Sequence, residues 1–239
     1  MLKLNKMKTK LWYLKNLDIF SHLRNEEMHH VIEKTSAMQE IKRGETLYLQ
    51  GSSDKDIYIL KKGAVKINKL SPEGRVITLD IFKGGTLFGE LGTIDESERD
   101  ETAEVVEDGL LCIMSKSNFD EMLKIVPGLS IRLNKIIGLR RRKIENKLLD
   151  LLYSTVEERL AKTLITLLDD FGIPDGDSYI LKIKLTHQDL SELIASTRET
   201  TTATLNNLKK EGLIDYEGKY IKIPDKDKLA SLSERSIHF

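Results

Sequence analysis

The sequence predicts an α+β protein with a strand-rich N-terminal domain, a long central helix and a C-terminal domain of short helices and a hairpin. Three observations predict this organisation. Glycine-bearing turns separate short apolar runs between residues 41 and 114, a helical apolar stripe follows between residues 128 and 152, and short amphipathic helices with a hairpin pattern end the chain. We expect three parts, at residues 1–126, 127–154 and 155–239.

Composition excludes several classes of protein. The 239 residues are 40% hydrophobic and carry equal numbers of basic and acidic side chains, so any nucleic-acid surface must arise from local placement of charge. A single cysteine excludes a disulfide framework and an iron–sulfur cluster held by cysteines. No apolar run approaches the roughly 20 residues that span a bilayer, and no signal-peptide pattern opens the chain. We therefore expect a cytoplasmic protein.

The sequence offers no pattern typical of catalysis or metal binding. Residues 41–126 contain no histidine, which argues against a metal-dependent enzyme of the barrel type. No Ser/His/Asp or Cys/His arrangement is evident. Cys112 lies in the apolar run Leu110–Met114 and is expected to be a small core residue, with a redox-sensing thiol as the alternative. We predict neither catalytic residues nor a metal site.

Two helical patterns precede the strands. Helical spacing of apolar residues predicts a first helix, and Ser21 is a candidate N-cap of a second helix. The apolar positions are Leu11, Leu14, Leu17 and Phe20 in the first, and Met28, Val31 and Ile32 in the second.

The following strands predict a sandwich or barrel. Apolar runs at Ile57–Leu60, Ala64–Ile67 and Val76–Phe82 are typical of strands, and turns such as Ser71–Gly74 separate them. Many short strands at near-regular spacing favour this class of fold over an open α/β sheet.

The long helix carries a near-heptad stripe. Its members step by four, three, four, four and three residues, which favours two such helices packed together in a dimer. The alternative is an ordinary amphipathic helix packed on its own core. The candidate dimer residues are Leu133, Ile137, Arg140, Ile144, Leu148 and Leu151.

The C-terminal region predicts a helix-turn-helix followed by a hairpin. An amphipathic helix over Val156–Phe171 stops at glycine, and Thr186 with Asp189 forms a capping-box pattern that begins a short helix. A second helix starts after Thr197 with exposed polar residues, the layout of a helix that enters the DNA major groove. The hairpin of residues 214–223 would be its wing.

Candidate DNA contacts follow from this layout. Arginine can bind a guanine edge through two hydrogen bonds, and glutamate can accept a hydrogen bond from cytosine. The alternatives are a surface helix with arbitrary polar residues and ordinary solvated lysines, and residues 155–239 hold 12 basic against 15 acidic side chains. Candidate base-reading residues are Arg198, Glu199, Thr202 and Asn206; candidate phosphate contacts are Thr186, His187, Thr197, Thr201 and Lys219, with Lys209, Lys210 and Lys222 as further basic residues.

Four segments in this order resemble the CRP/FNR family of bacterial transcription regulators. The first consists of the strand sequences Arg43–Glu45 and Leu60–Val65, and the second is the loop Gly85–Gly92. The third is the long helix after Pro127, and the fourth is the helix start Ser196–Thr200. The resemblance extends from about residue 17 to residue 224. It implies a jelly-roll β-barrel of the cyclic-nucleotide-binding type, a dimerisation helix and a winged helix-turn-helix. It also implies a homodimer on a near-palindromic operator in double-stranded DNA, with RNA polymerase as a partner.

The resemblance also bears on individual site residues. Arg198 and Glu199 match the family's base-reading arginine and glutamate, whereas Ala203 occupies a third base-reading position that is an arginine in the cyclic-AMP receptor protein. The implied effector pocket would be formed by Gly89, Glu90, Leu91, Arg99, Asp100, Glu101, Thr102, Ile144 and Glu145.

The effector is left open by the sequence. Acidic residues follow Arg99, a gapped alignment places Glu101 on the family's phosphate-binding arginine, and Ile144 with Glu145 replaces an adenine-contacting hydroxyl pair. Carboxylates beside a phosphate are unfavourable in a low-dielectric pocket, so cyclic AMP is not favoured. A haem held by His22, His29 or His30 is not favoured either, which leaves another small molecule or no ligand. The alternative function is a sensor module that acts through protein partners rather than DNA.

Overall fold

The computed structural model describes residues 19–21, 23–93 and 98–233, with only the backbone described at Thr93 and Ser233. The predicted first helix around Leu11, Leu14 and Leu17, and also His22, lie outside the described residues. The chain divides into two compact units, one of residues 1–69 with 81–141 and one of residues 70–80 with 142–239. The three-part division at residues 126 and 154 stays a prediction.

Helix α1 begins later than the sequence predicted. It spans Asn25–Lys34, and its N-cap is Arg24 rather than Ser21. The Glu27 carboxylate accepts a hydrogen bond from the backbone N–H of Arg24 at 2.8 Å, so this first-turn side chain satisfies the helix start without a hydroxyl cap. The predicted inner face is confirmed: Met28, Val31 and Ile32 are all buried.

Six strands form the N-terminal sheet. They are β1 (Gln39–Ile41), β2 (Thr46–Tyr48), β3 (Ile57–Leu70), β4 (Val76–Lys83), β5 (Leu87–Phe88) and β6 (Thr102–Met114). The strand order is β1-β6-β3-β4, with β2 paired to β6 and β5 paired to β3. The sheet is jelly-roll-like rather than a closed barrel, and a single turn of 3₁₀-helix at Glu90–Thr93 follows β5.

Strand β3 is continuous where the sequence predicted two separate strands. Its register against β6 shifts around Gly63, which has a φ of 89°. A Cβ at Gly63 would lie 2.7 Å from the carbonyl oxygen of Glu107, so glycine permits a bulge that a larger residue would block. The glycine therefore bends the strand instead of ending it.

The core of the first unit joins the sheet to flanking helices. Helix α2 (Lys116–Ile125) and the start of helix α3 (Pro127–Tyr153) pack with α1 against one face of β3. Cys112 is fully buried opposite Ile59 in the β3–β6 pair, as expected for a core residue. The cluster contains Phe20, Met28, Ile57, Ile59, Met114, Phe119, Met122 and Leu129, among others.

The second unit contains the predicted helix-turn-helix and more strands than expected. Its order is α4 (Val156–Phe171), β7 (Gly172–Asp175), β8 (Ser178–Leu181), α5 (His187–Leu193), α6 (Arg198–Lys210), β9 (Asp215–Glu217), β10 (Tyr220–Ile223) and α7 (Lys226–Ser233). The strands pair in the order β7-β8-β10-β9. The β9–β10 hairpin is the predicted wing, whereas β7, β8 and α7 were not predicted.

Residues 70–80, which start in the β3–β4 hairpin, belong to the second unit and contact the C-terminal half of α3. The Lys147 ammonium donates to the Thr78 carbonyl at 2.6 Å, and Lys143 pairs with Asp80 at 3.1 Å. Burial lowers the pKa of Lys147 from its ordinary value of 10.5 to about 8, because desolvation outweighs the attraction of Asp80.

Lys147→Met should change how the stability of the protein depends on pH. Above about pH 8 the folded protein releases the Lys147 proton, while the unfolded chain keeps it up to about pH 10.5, so the free energy of unfolding of the wild type rises with pH in this window. From about pH 7 to about pH 9.5, the wild type should gain about 1–2 kcal/mol relative to the methionine variant, measured by urea unfolding.

The same substitution at exposed Lys228 serves as the control and should show no such pH dependence. Parallel pH profiles for wild type and Lys147→Met would show that Lys147 does not lose its proton in this window.

Candidate DNA interface and sensor site

A left-handed residue sets the turn between α5 and α6. Ala195 has a φ of 48°, and no other non-glycine residue in the described parts of the chain has a positive φ. The backbone N–H of Ser196 donates to the Ser191 carbonyl at 2.9 Å, which closes the turn. The three residues between Leu193 and Thr197 are therefore enough to redirect the chain into the second helix.

Threonine hydroxyls cap both helices of the motif. The Thr186 hydroxyl accepts from the Asp189 N–H at 3.1 Å, while the Asp189 carboxylate accepts from the Thr186 N–H at 2.8 Å, so the predicted capping box is confirmed. The Thr197 hydroxyl accepts from the Thr200 N–H at 3.1 Å. Both caps are exposed, which leaves helix N-terminal N–H groups available to an anion such as a DNA phosphate.

One face of α6 is buried and fixes the rotation of the helix. Thr201, Thr204, Leu205 and Leu208 pack into the second unit. The sequence predicted that Thr201 is exposed and contacts a DNA phosphate, and this prediction is wrong. Thr201 is fully buried, and its hydroxyl donates to the Thr197 carbonyl at 2.8 Å. A threonine can occupy this inner position because its hydroxyl is satisfied by the preceding turn.

Four exposed residues lie at the start of α6 and along its outer face. Arg198, Glu199, Ala203 and Asn206 are exposed. Within the described residues, no side-chain hydrogen bond or ion pair engages Arg198, Glu199 or Asn206. Their hydrogen-bonding groups are therefore available to a ligand that lies along this face.

Thr202 and His187 form a link between the two helices instead of a free base-reading site. The Thr202 hydroxyl donates to the Arg198 carbonyl at 2.8 Å. The Nδ1 atom of His187 lies 2.8 Å from the same oxygen and donates to it, because the single hydroxyl proton is already used. His187 thus fixes the start of α5 against α6, and only its outer ring edge remains for a phosphate.

The basic residues around the motif are not equally available. Lys219 is exposed at the tip of the wing, as predicted for a phosphate contact. Lys209 pairs with Asp215 at 3.0 Å, and Lys222 pairs with Asp175 at 2.6 Å, so both are partly neutralised.

Two further lysines were missed by the sequence analysis. The ammonium of Lys182 lies 4.6 Å from the centre of the Tyr220 ring, and Lys184 is exposed just before the Thr186 cap. Alternation of basic and apolar residues from Leu181 to Lys184 is the signal that could have identified them.

In the first unit, Arg99 is bound by groups of the protein itself. Its side chain is 1% exposed, and its guanidinium donates to the Gly89 carbonyl at 2.6 Å and to the Asp54 carboxylate at 2.8 Å. A Cβ at Gly92 would lie 2.7 Å from Nη1 of Arg99, so only glycine leaves room for the guanidinium. Arg99 was expected in an effector pocket, but these contacts already occupy two of its nitrogens.

Arg140 belongs to the same interior. Its guanidinium donates to the Glu90 carboxylate at 2.6 Å and lies 4.4 Å from the centre of the Phe82 ring. Glu90 is 2% exposed, so this ion pair is largely shielded from water. Arg140 was predicted for the dimer seam; its guanidinium contacts the sheet of its own unit, and its place in the seam stays a prediction.

Glu101 adds a second carboxyl group to this interior. The Tyr48 hydroxyl donates to it at 2.8 Å. Burial raises the pKa of Glu101, and the neighbouring Glu90 carboxylate raises it further. Structurally, the sheet interior brings together two carboxyl groups, two guanidinium groups and aromatic rings.

The other predicted pocket residues have different surroundings. Asp100 is exposed and pairs with Lys69 at 2.6 Å, and Leu91 is 45% exposed. The Thr102 hydroxyl accepts from the Gln50 N–H at 2.9 Å. Ile144 and Glu145 are exposed residues of the second unit.

Helix α3 changes character along its length. Leu133 packs against the core of the first unit, whereas Ile144, Leu148 and Leu151 are 48%, 57% and 37% exposed. Leu152, 65% exposed, was missed because it falls outside the stepping pattern. The C-terminal half of α3 thus presents an apolar surface that the described residues leave uncovered, and Leu139, Leu149 and Tyr153 add to it.

Comparisons with known proteins match both units. A family model of the cyclic nucleotide-binding domain matches residues 38–125, and one of the Crp-like helix-turn-helix domain matches residues 158–232. The anaerobic regulatory protein of Bacillus subtilis is 30% identical over 84% of this chain and 86% of its own length. The CRP-like cAMP-activated global transcriptional regulator of Mycobacterium tuberculosis is 30% identical over 79% and 84%.

This protein belongs to the CRP/FNR family. Among solved structures, a CooA mutant from Carboxydothermus hydrogenoformans superposes with a TM-score of 0.74 at 21% identity, covering 92% of this chain and 97% of that one. A CRP/FNR-family regulator from Thermus thermophilus gives 0.67 at 25% identity over 83% and 99%. Both confirm the expected fold.

Family membership determines the general role of this CRP/FNR protein. It is a transcription regulator with a DNA-binding helix-turn-helix, and the family is one of regulators rather than enzymes. Within residues 19–21, 23–93 and 98–233, no helix is both long and apolar enough to cross a membrane.

Proposed function

We propose that this CRP/FNR regulator binds as a homodimer to a near-palindromic operator in double-stranded DNA. The observation that carries the proposal is the open face of α6, on which Arg198, Glu199 and Asn206 project without partners among the described residues. A helix of this kind reads base edges when it enters the major groove. The alternative, a sensor acting only through protein partners, gives no reason for such a face.

Phosphate contacts would hold the helix in register on the duplex. The capped starts of α5 and α6, the outer edge of His187, and Lys184 and Lys219 surround the open face as candidates. Because the second unit is not basic overall, affinity depends on these local groups and on two copies binding together.

The dimer is supported by the uncovered apolar surface of α3. Ile144, Leu148 and Leu152 lie about one helical turn apart along its C-terminal half, and all are exposed. A second copy of the same helix would bury this surface, and a two-fold axis would present two copies of α6 to a palindrome.

The interior of the first unit argues against cyclic AMP as the effector. Asp54 and Glu90 already bind the two guanidinium groups, and Glu101 adds a buried carboxyl group beside them. An anionic phosphate would have to displace these pairs in a low-dielectric site. The cyclic-AMP activation in the name of the M. tuberculosis relative is therefore not transferred, and the proposed effector is a different small molecule or none.

We also propose a cytoplasmic protein that contacts RNA polymerase when bound to DNA. Support comes from the transcriptional role in the names of two relatives.

Arg198→Ala should weaken specific DNA binding by about 1–3 kcal/mol, because a bidentate contact to guanine is lost. The measurement is a gel-shift titration with an operator selected from a random duplex pool. Lys228→Ala, at an exposed position on α7, is the control. Equal affinity of Arg198→Ala and wild type would remove Arg198 from the base-reading set.

Leu148→Glu should convert the dimer to a monomer, since a charge would have to be buried in the helix pair. Sedimentation equilibrium measures the mass. Lys135→Glu introduces a charge at an exposed position of the same helix and should leave the dimer intact. A monomeric wild type, or a Leu148→Glu dimer of wild-type affinity, would contradict the proposed interface.

Cyclic AMP at millimolar concentration should change neither the thermal unfolding midpoint nor the DNA affinity of the wild type. The M. tuberculosis relative, named as cAMP-activated, provides the positive control. A saturable increase in either quantity would show that cyclic AMP binds and would contradict this prediction.

A further inference from the structure

The centre of the exposed face of α6 is a single row of side chains. In an α-helix, residues at positions i, i+4 and i+7 share a face, which aligns Glu199, Ala203 and Asn206. The buried residues Thr201, Thr204, Leu205 and Leu208 lie on the opposite side, so packing fixes this row outward. Arg198 flanks the row at the start of the helix.

Thr202 does not contribute hydrogen-bond readout. Its only proton is donated to the Arg198 carbonyl, and His187 donates to its oxygen, each at 2.8 Å. A base acceptor would therefore have to compete for the only hydroxyl proton, and a base donor would have only the second lone pair of an oxygen that already accepts from His187. The side chain is also partly buried.

Ala203 contributes only a methyl group to the row. A methyl cannot hydrogen-bond, but it can make apolar contact with the C5-methyl group of thymine in the major groove. Guanine and cytosine have no such methyl group, so a close approach of Ala203 favours an A·T pair at this position.

Asn206 contributes both an amide donor and an amide acceptor. Its side chain has no partner among the described residues, which matches the bidentate pattern of the adenine N6 and N7 atoms. Ala203 and Asn206 are separated by about 4.5 Å along the helix axis, close to the spacing of about 3.4 Å between successive base pairs. They would face neighbouring pairs.

We infer that each half-site contains two neighbouring A·T pairs, with a thymine methyl against Ala203 and an adenine edge against Asn206, beside G·C pairs contacted by Arg198 and Glu199. This inference rests on the proposed DNA-binding function. It removes Thr202 from the set of base-reading residues and assigns its hydroxyl to positioning the recognition helix.

The first experiment selects bound duplexes from a random pool with wild type and three variants. Asn206→Ala should lose the preference for adenine at one position per half-site by about tenfold or more. Ala203→Arg should exchange a thymine preference for guanine, because arginine binds the guanine edge bidentately. Thr202→Val, which removes the hydroxyl and keeps the shape, should retain the wild-type base preferences at every position, although overall affinity can fall.

The second experiment leaves the protein unchanged, so it does not depend on how the variants fold. Each thymine of the selected operator is replaced singly by deoxyuridine, which lacks the methyl group, and each adenine by 7-deaza-adenine, which lacks the N7 acceptor. One thymine and one neighbouring adenine per half-site should each weaken wild-type binding several-fold in gel-shift titrations, and the other single replacements should weaken it less.

The outcomes separate the two proposals. If the wild type enriches no sequence from the pool, the proposed function fails. If it enriches a motif that lacks neighbouring A·T pairs sensitive to these replacements, the function stands and the assignment of Ala203 and Asn206 is overturned. If Thr202→Val loses a base preference, the function stands and Thr202 returns to the set of base-reading residues.

Discussion

The recognition surface depends on the packing of one side of α6. Thr201, Thr204, Leu205 and Leu208 are buried together, and this contact sets the rotation of the helix about its own axis. A shift of one residue would rotate each side chain by about 100° and would turn part of this buried face outward. The outward direction of the candidate base-reading groups is therefore a consequence of core packing, with the Thr197 cap fixing where the helix begins.

The buried threonines of α6 illustrate how a polar side chain can serve a core. The hydroxyls of Thr201 and Thr204 donate to the carbonyl groups one turn earlier, at 2.8 and 2.9 Å. Each buried hydroxyl is satisfied locally, so its burial does not leave an unpaired group. Threonine has a low helix propensity, but the threonines of α6 have different environments. Thr201 and Thr204 are buried, Thr202 contacts His187 of α5, and Thr200 is exposed.

The first unit uses charge in a different way. Arg99 and Arg140 each bind a carboxylate of the same unit, at 2.8 and 2.6 Å, and each also lies over an aromatic ring. Pairs of this kind satisfy guanidinium groups that would otherwise be costly to bury. Arg140 comes from the middle of α3, and the C-terminal turns of the same helix carry exposed leucines. One helix therefore supplies both a buried charge and an exposed apolar surface.

The sequence by itself determined the succession of a strand-rich part, a long helix and a helix-turn-helix with its wing, the two capped helices of the DNA-binding motif and the exposure of Arg198, Glu199 and Asn206. These follow from periodicity, caps and glycine turns, which act over a few residues. Only the tertiary structure decided that Thr201 is buried and that Arg99 and Arg140 are engaged within their own unit. Arg99 and Asp54 are 45 residues apart, and Arg140 and Glu90 are 50 apart, so no local pattern records their pairing. Folding brings distant strands together, and this determines which charged side chains pair with each other and which remain exposed.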